Sequence, residues 1–278
     1  MNEIIEKQDL SENIVKLVIS SPTVAKKRKA GQFVVLMVDE RGERIPLTIV
    51  DSDPEKGTIT LILQVAGKTT ALLAALKPGD RIEHLLGPLG NPTEIENFGQ
   101  VVCVGGGVGV GVAYPIVKAL KNAGNRVVTI IGARTKAMLI LEEELRQVSD
   151  KLIVATDDGS YGVHGFVSAV LQDLIDRGER IDRVYAIGPV PMMRVICNVT
   201  KPKAVPTIVS LNAIMVDATG MCGACRVSVG GKTRFTCVDG PEFDGHDVDF
   251  DLLTKRLRMY DDQEKRSLEK YRCECHGN

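Results

Sequence analysis

The chain has 278 residues, enough for about two domains with cores of their own. Its 35 basic and 36 acidic side chains leave a net charge of -1 and form no long basic run, which excludes a nucleic-acid binder. No apolar stretch of about 18 residues occurs, so no membrane span is expected, and Glu3, Glu6, Lys7 and Asp9 stand where a secretory signal would be apolar; the expected location is the cytoplasm.

The first part of the chain reads as β. Runs rich in Val, Ile, Leu and Thr at 13–20, 32–38, 44–51 and 58–65 are separated by turn signals at Ser21-Pro22, Arg41-Gly42 and Lys56-Gly57, and a further strand is expected at 81–86. Short strands at this spacing predict a small antiparallel barrel. Within it, Arg44-Ile45-Pro46-Leu47-Thr48 brings a guanidinium and a hydroxyl near the start of one strand, and Gly67-Lys68-Thr69-Thr70 opens a helical run over 70–76. Arg44 and that helix start suit an anion. Read separately, Arg44 is as well explained as a solvated charge and Thr69 as a helix cap.

From Gly99 the period changes. Strand runs at 101–104, 127–131, 152–155 and 184–187 alternate with helical runs at 112–122, 141–148, 165–177 and 192–200, which implies a parallel sheet with helices on both faces. The first unit, VVCVGGGVGVGVAYPIVKAL (101–120), passes from a strand through Gly105, Gly106, Gly107, Gly109 and Gly111 into a helix. Backbone without Cβ admits a pyrophosphate, and a helix start attracts it, so the reading is a nucleotide phosphate site; the alternative is a turn needed for tight helix-to-sheet packing. The spacing is not the dinucleotide G-x-G-x-x-G, and the next strand ends in Gly132-Ala133-Arg134 without a ribose-binding acid. Strand-end loops at Gly105 to Gly111, at Arg134, at Asp157 to Ser160 and at Gly188-Pro189 are expected to share one crevice.

The third part begins near Ser210. Seven cysteines favour metal or redox chemistry over disulfides, and Cys222, Cys225 and Cys237 are gathered by a compact loop and a hairpin turned at Gly230-Gly231. Thiolates select zinc or iron-sulfur, and no second ligand pair at zinc spacing is present, so iron-sulfur is the reading. The C-x4-C-x2-C spacing of two-iron loops puts the first ligand at Asp217. Asp217 as an Asx-type turn residue is the alternative, with Cys197, Cys273, Cys275 or His276 as fourth ligand. Cys103 and Cys197 read as packed, residues 250–271 as a charged helix, and 273–276 as a polar, partly disordered tail.

The order R-x-P-L-T (44–48), G-K-T-T (67–70), GGGVG with Pro115, Gly-Pro-x-Pro-Met-Met (188–193), then MVDATGMCGACRVSVGG and FTCVDGPEFDGH, resembles the ferredoxin reductase superfamily. Within it the chain is similar to electron-transfer subunits of dihydroorotate dehydrogenase. It is still more similar to small subunits of electron-bifurcating NADH-dependent ferredoxin:NADP oxidoreductases, because the dihydroorotate type carries Cys at the position of Asp217. The family usually has Cys before the last Gly-Pro; here it is Ile187, which weakens any role for a thiol beside the nicotinamide.

The resemblance implies a β plus α/β fold: an FAD-binding barrel (1–98), a pyridine-nucleotide-binding parallel-sheet domain (99–209), a two-iron two-sulfur domain (210–250), and a C-terminal helix and tail (251–278). It implies FAD on Arg44, Pro46, Leu47 and Thr48, with its pyrophosphate at Gly67, Thr69 and Thr70. Pyridine nucleotide would lie on Gly106, Gly107 and Gly109, near Arg134, Asp157, Gly188 and Pro189, and the cluster on Asp217, Cys222, Cys225 and Cys237. Arg134 suits a 2′-phosphate, yet NAD-using relatives also carry a basic residue there, so NAD(H) is expected. The implied activity is electron transfer between NAD(H) and a larger flavin and iron-sulfur partner subunit through FAD and the cluster, with ferredoxin reached through that partner and no acid-base residue required. The alternative is the dihydroorotate-type subunit.

Overall fold

A computed structural model describes residues 2–40 and 42–276, with side chains through Cys273; Met1, Arg41, Gly277, Asn278 and the side chains of Glu274, Cys275 and His276 lie outside the described residues. Residues 4–89 form β1 (Ile4–Ser11), β2 (Ile14–Ser20), α1 (Pro22–Lys27), β3 (Phe33–Met37), β4 (Arg44–Asp53), β5 (Thr58–Gln64), α2 (Lys68–Ala75) and β6 (His84–Leu89). The strands run antiparallel in the order β1-β2-β5-β4-β3-β6. Backbone bonds from Ile4 N to Asp80 O (2.9 Å) and from Ile82 N to Asn2 O (3.0 Å) join the two ends, so the sheet closes and leaves no long edge. Alternate residues such as Leu17, Ile19, Leu36, Ile49, Ile59 and Leu61 fill the interior.

Two sequence expectations shift here. β1 alternates charged residues along its exposed face and shows too few apolar side chains to be read as a strand. The strand expected at 81–86 is instead β6 at His84–Leu89, because Arg81 is held in an isolated bridge to Glu3 that closes the barrel.

The second sheet uses β7 (Gln100–Gly106), α3 (Gly109–Asn122), β8 (Arg126–Ala133), α4 (Glu142–Val148), β9 (Lys151–Thr156), β10 (Val163–His164), α5 (Val167–Asp176), β11 (Arg183–Ile187), α6 (Val190–Thr200) and β12 (Thr207–Ser210). After the hairpin β13 (Arg226–Val229) and β14 (Lys232–Phe235), the chain returns as β15 (Glu242–Asp244), antiparallel to β12. The order β10-β9-β8-β7-β11-β12-β15 reverses between β7 and β11. A crevice opens at such a switch point, above the carboxyl ends of those two strands.

Val101, Val127, Ile116 and Tyr185 fill one face of the sheet, and Val102, Val128, Leu171 and Val184 the other. The first core continues into the barrel through Ile14, Val50 and Ile62, and the second through Phe33 and Val35 into the cysteine loop at Met215, Ala218, Cys225 and Cys237. Cys103 and Cys197 are buried, as expected. The charged helix expected at 250–271 is two helices, α7 (Phe250–Leu257) and α8 (Asp261–His276), broken by a turn at 258–260. α8 continues over 273–276, where a disordered tail was expected. Among the described residues no helix is long and apolar enough to cross a membrane.

A seam of polar bonds ties the chain after Cys237 to the barrel's exit. Asn91 N donates to Gly240 O (2.7 Å), Asn91 Nδ2 to Val238 O (3.1 Å), and Thr93 Oγ1 to Glu242 Oε1 (2.6 Å). Burial pushes the Glu242 carboxyl up to about 7, against the opposing Thr93 bond. The folded chain therefore prefers Glu242 protonated, and its contribution to stability is lost as pH rises from about 4.5 through 7. Glu242→Gln is expected to flatten the fall in thermal midpoint between pH 5 and pH 8; parallel curves for variant and parent would contradict this.

Candidate functional site

At the switch point lies a cavity of about 480 Å³ built from all three parts of the chain. The barrel supplies Phe33, Pro46, Thr48 and Gln64; the sheet supplies Gly106, Gly107, Gly109, Gly188 and Pro189; the segment leading to the cysteine loop supplies Ser210, Asn212, Ala213 and Met215. Strand alternation explains the barrel's share: Pro46 and Thr48 face the cavity, while Ile45 and Leu47 turn to the barrel core, so Leu47 is not part of the cavity wall.

The glycines are there because the backbones are pressed together. A Cβ on Gly109 would stand 2.6 Å from Ile187 O and 2.8 Å from Gly188 Cα, and one on Gly106 would collide with Met192 Sδ. Gly107 turns the chain at φ +55° with open space beside it. The start of α3 is thereby brought onto the loop after β11, and Gly107, Val108 and Gly109 line the cavity, while the N–H groups of Val110 and Gly111 close a tight turn on Gly107 O (3.2 Å) and Val108 O (3.0 Å).

Arg44 is exposed on the face of β4 that carries Pro46 and Thr48. Gly67 caps α2. Thr70 Oγ1 accepts from Ala66 N and Gly67 N (both 3.0 Å), and Thr69 Oγ1 donates to Glu43 Oε2 (3.1 Å). Both hydroxyls are thus engaged, and the turn offers an anion its backbone and Lys68. Arg134 and Asp157 are exposed at the ends of β8 and β9, where Asp157 N donates to Ala133 O (3.1 Å). They stand beside the cavity rather than in its wall. Gln64, Ser210, Asn212 and Met215 were missed by the sequence reading, since none belongs to a spaced motif.

In the cysteine loop, Cys225 and Cys237 meet at 3.1 Å, Sγ to Sγ, both buried as free thiols. Burial, then the Cys225 thiol, pushes Cys237 up to about 12. Cys222 is exposed on the same loop. Asp217 accepts from Thr219 N (2.9 Å) and Cys222 N (3.1 Å), bonds that hold its carboxyl below the usual range. Asp217 therefore adopts the Asx-type turn geometry, tied to the peptide of Cys222. Among the described residues no three Cys, His, Asp or Glu side chains converge on one point.

Ala218 (φ +59°), Gly220 and Gly223 hold left-handed backbone in this loop; the glycines adopt it freely, whereas at Ala218 it is a strain typical of functional loops. Three soft donors and a carboxylate on so tight a turn suit an iron-sulfur cluster, whose charge would displace the thiol protons. Only the extended segment 213–216 separates the cavity from Cys222: Ala213 and Met215 line the cavity, while Ala213, Ile214 and Val216 line the hollow that holds Cys222.

Comparison with known proteins agrees with this division. Residues 2–93 match the oxidoreductase FAD-binding domain family, and residues 212–249 match the iron-sulfur cluster binding domain of dihydroorotate dehydrogenase B. The dihydroorotate dehydrogenase B (NAD(+)) electron transfer subunit homolog of Thermotoga maritima is 51% identical over 98% of this chain and 95% of its own length. The chain belongs to the dihydroorotate dehydrogenase B electron transfer subunit family. The Geobacillus thermodenitrificans subunit is 35% identical over 88% of this chain and 96% of its own. A solved structure of an NADH-dependent reduced ferredoxin-NADP oxidoreductase, studied for flavin-based electron bifurcation, contains a chain 50% identical to this one, with a TM-score of 0.92 and 98% of both chains covered. This chain is accordingly an electron-transfer flavoprotein with an FAD-binding domain and an iron-sulfur domain, in a family of oxidoreductase subunits.

The contact between Gly109 and Ile187 is a sharp test of the site's packing. Gly109→Ala has backbone on both sides of the added methyl and is expected to cost about 1–3 kcal/mol, lowering the thermal midpoint by roughly 2–10 °C. Gly111→Ala meets Ile62 at an ordinary 3.4 Å and is expected to leave the midpoint unchanged or raised. Equal effects of the two in differential scanning calorimetry would refute the packing argument.

Proposed function

We propose that the chain carries electrons between NAD(H) and a larger flavin and iron-sulfur subunit, in an electron-bifurcating complex that exchanges electrons among ferredoxin, NAD(H) and NADP(H). The observation that carries this is the single cavity at which barrel, nucleotide sheet and cysteine loop meet, with one extended segment between it and Cys222. When bound there, FAD supplies interconversion of two-electron hydride chemistry and one-electron chemistry.

The chain's own residues then bind and orient. Pro46 and Thr48 form the isoalloxazine wall, Arg44 and the Gly67–Thr70 turn take the pyrophosphate, and Gly106, Gly107 and Gly109 receive the pyridine nucleotide, flanked by Gly188, Pro189, Arg134 and Asp157. Asp217, Cys222, Cys225 and Cys237 hold the two-iron cluster; the bond from Cys222 N keeps the Asp217 carboxylate within its own loop. The proposed domains are 1–98, 99–209 and 210–250, with 251–278 as a C-terminal extension. Apolar side chains left in solvent around Cys222, with Met221 88% exposed beside Val216 and Val238, suit a partner surface over the cluster. A cytoplasmic location follows from the pyridine nucleotide pools such an enzyme uses.

A second reading, the electron transfer subunit of a dihydroorotate dehydrogenase, is favoured by the description of the matching cluster-binding family. Purification of the native complex separates the two, because the larger subunit either oxidises dihydroorotate or reduces ferredoxin.

An anaerobic titration of the purified chain tests the cofactor assignment. NADH is expected to bleach a flavin absorbance, and full reduction to give a two-iron EPR signal; absence of both after reconstitution would refute the reading, and bleaching by NADPH alone would reverse the nucleotide choice. Asp217→Cys is expected to shift the cluster's midpoint potential, since a carboxylate is a harder and weaker donor than a thiolate. An unchanged midpoint and spectrum would remove Asp217 from the ligand set.

A further inference from the structure

The hollow that holds Cys222, of about 270 Å³, has α7 as its second wall. Leu253, Arg256 and Leu257 of that helix, with Met259 and Tyr260 of the turn after it, line the hollow together with Cys222 and Ala224. A cation stands there among apolar side chains.

α7 is firmly seated. Asp249 caps it by accepting from Leu252 N (2.9 Å), and Phe250 and Leu253 are buried in the core that also contains Cys225 and Cys237. Arg194 of α6 pairs with Asp251 at 2.7 Å. Arg256 follows Leu253 by three residues, so the two are neighbours on the helix surface, and an arginine stem can lie along such an apolar wall while its head reaches past it. Here the head reaches the cysteine loop. A charge that only balanced the helix end would serve the helix's own last carbonyls; Arg256 Nη2 instead donates to Ala224 O, 32 residues away, at 2.9 Å.

Ala224 O belongs to the peptide that joins Ala224 to Cys225. Standard bond lengths then put the donating nitrogen within about 6 Å of the Cys225 Cα, inside the Debye length of about 8–10 Å. A guanidinium stays charged at any working pH. Arg226 also touches the loop, its Nη1 donating to Gly223 O at 3.1 Å, but it is exposed and solvent screens it. Arg256 is half-buried and screened less. Three thiolates and a carboxylate outnumber the charge of an oxidised two-iron core, and an electron arriving from reduced flavin adds one more negative charge. A fixed cation beside those ligands therefore favours the reduced state, since net charge and outer contacts are among the levers on cluster potential.

We propose that Arg256 is a positioning residue for electron transfer: by binding Ala224 O it fixes the turn between Cys222 and Cys225 and sets a permanent positive charge beside the cluster, which raises the cluster's reduction potential. The inference rests on the cluster reading above. It gives a part in the redox site to α7, which begins at Phe250, beyond the segment 212–249 that matches the cluster-binding family.

The test is a redox titration of the full-length, reconstituted protein, with the cluster followed by EPR and the flavin by absorbance. Arg256→Gln removes the charge but keeps a donor for Ala224 O; it is expected to lower the cluster midpoint and to move the flavin midpoint by less. Arg256→Lys keeps the charge and is expected to stay closer to the parent. An unchanged cluster midpoint in Arg256→Gln, equal falls in the cluster and flavin midpoints, or the same fall in Arg256→Lys would overturn the proposal. If Arg256→Gln assembles no cluster, a parent-like cluster in Arg256→Lys supports the role of the charge, and loss in both overturns it. If the parent itself gives no two-iron signal, the cluster reading fails and the proposal with it, an outcome distinct from failure in the variants alone.

Discussion

The site depends on backbone pressed against backbone at the switch between β7 and β11. Gly109 at the start of α3 abuts the backbone of Ile187 and Gly188 at distances that exclude a side chain, and Gly106 meets the side chain of Met192. This contact sets how closely α3 approaches the end of β11, and so how the two glycine loops meet at the cavity. It also seats α3 against the barrel, since Gly111 leaves room for Ile62. Two domains with separate strand topologies are thereby locked at one angle around one cavity.

The cysteine loop is held with equal economy. It hangs from the sheet between β12 and β15, antiparallel neighbours whose pairing brings Ser210 opposite Glu242. Asn91 and Thr93 of the barrel's exit then bind Gly240, Val238 and Glu242, while Arg256 of α7 donates to Ala224 O at 2.9 Å. The loop is fixed from three directions, although its own contents are small residues and glycines. Such a loop has little core of its own, and its position relative to the flavin cavity is imposed by its neighbours.

An electron carrier asks the protein for short separations and fixed orientation. The segment 213–216 illustrates this: alternate side chains face the cavity and the cluster loop, so a single chain thickness stands between the two. α8, far in sequence from the barrel, packs on α2.

The sequence by itself determined the architecture and named most of the candidate site residues. The β-rich runs and turn signals before residue 98, the strand-helix alternation after it and the Asp217–Cys237 spacing are local patterns, set by side-chain type and glycine freedom that neighbours do not override. Tertiary structure alone decided what depends on residues distant in the chain. β1 is a strand because the barrel must close, and β15 rejoins the sheet across the cysteine loop. Gln64, Asn212 and Met215 enter the cavity wall because three segments fold onto it. Asp217 adopts the Asx-type conformation, its carboxylate turned to backbone N–H groups, while its place as a ligand rests on spacing alone. Spacing along a chain specifies which residues share a turn; only packing specifies which way each of them points.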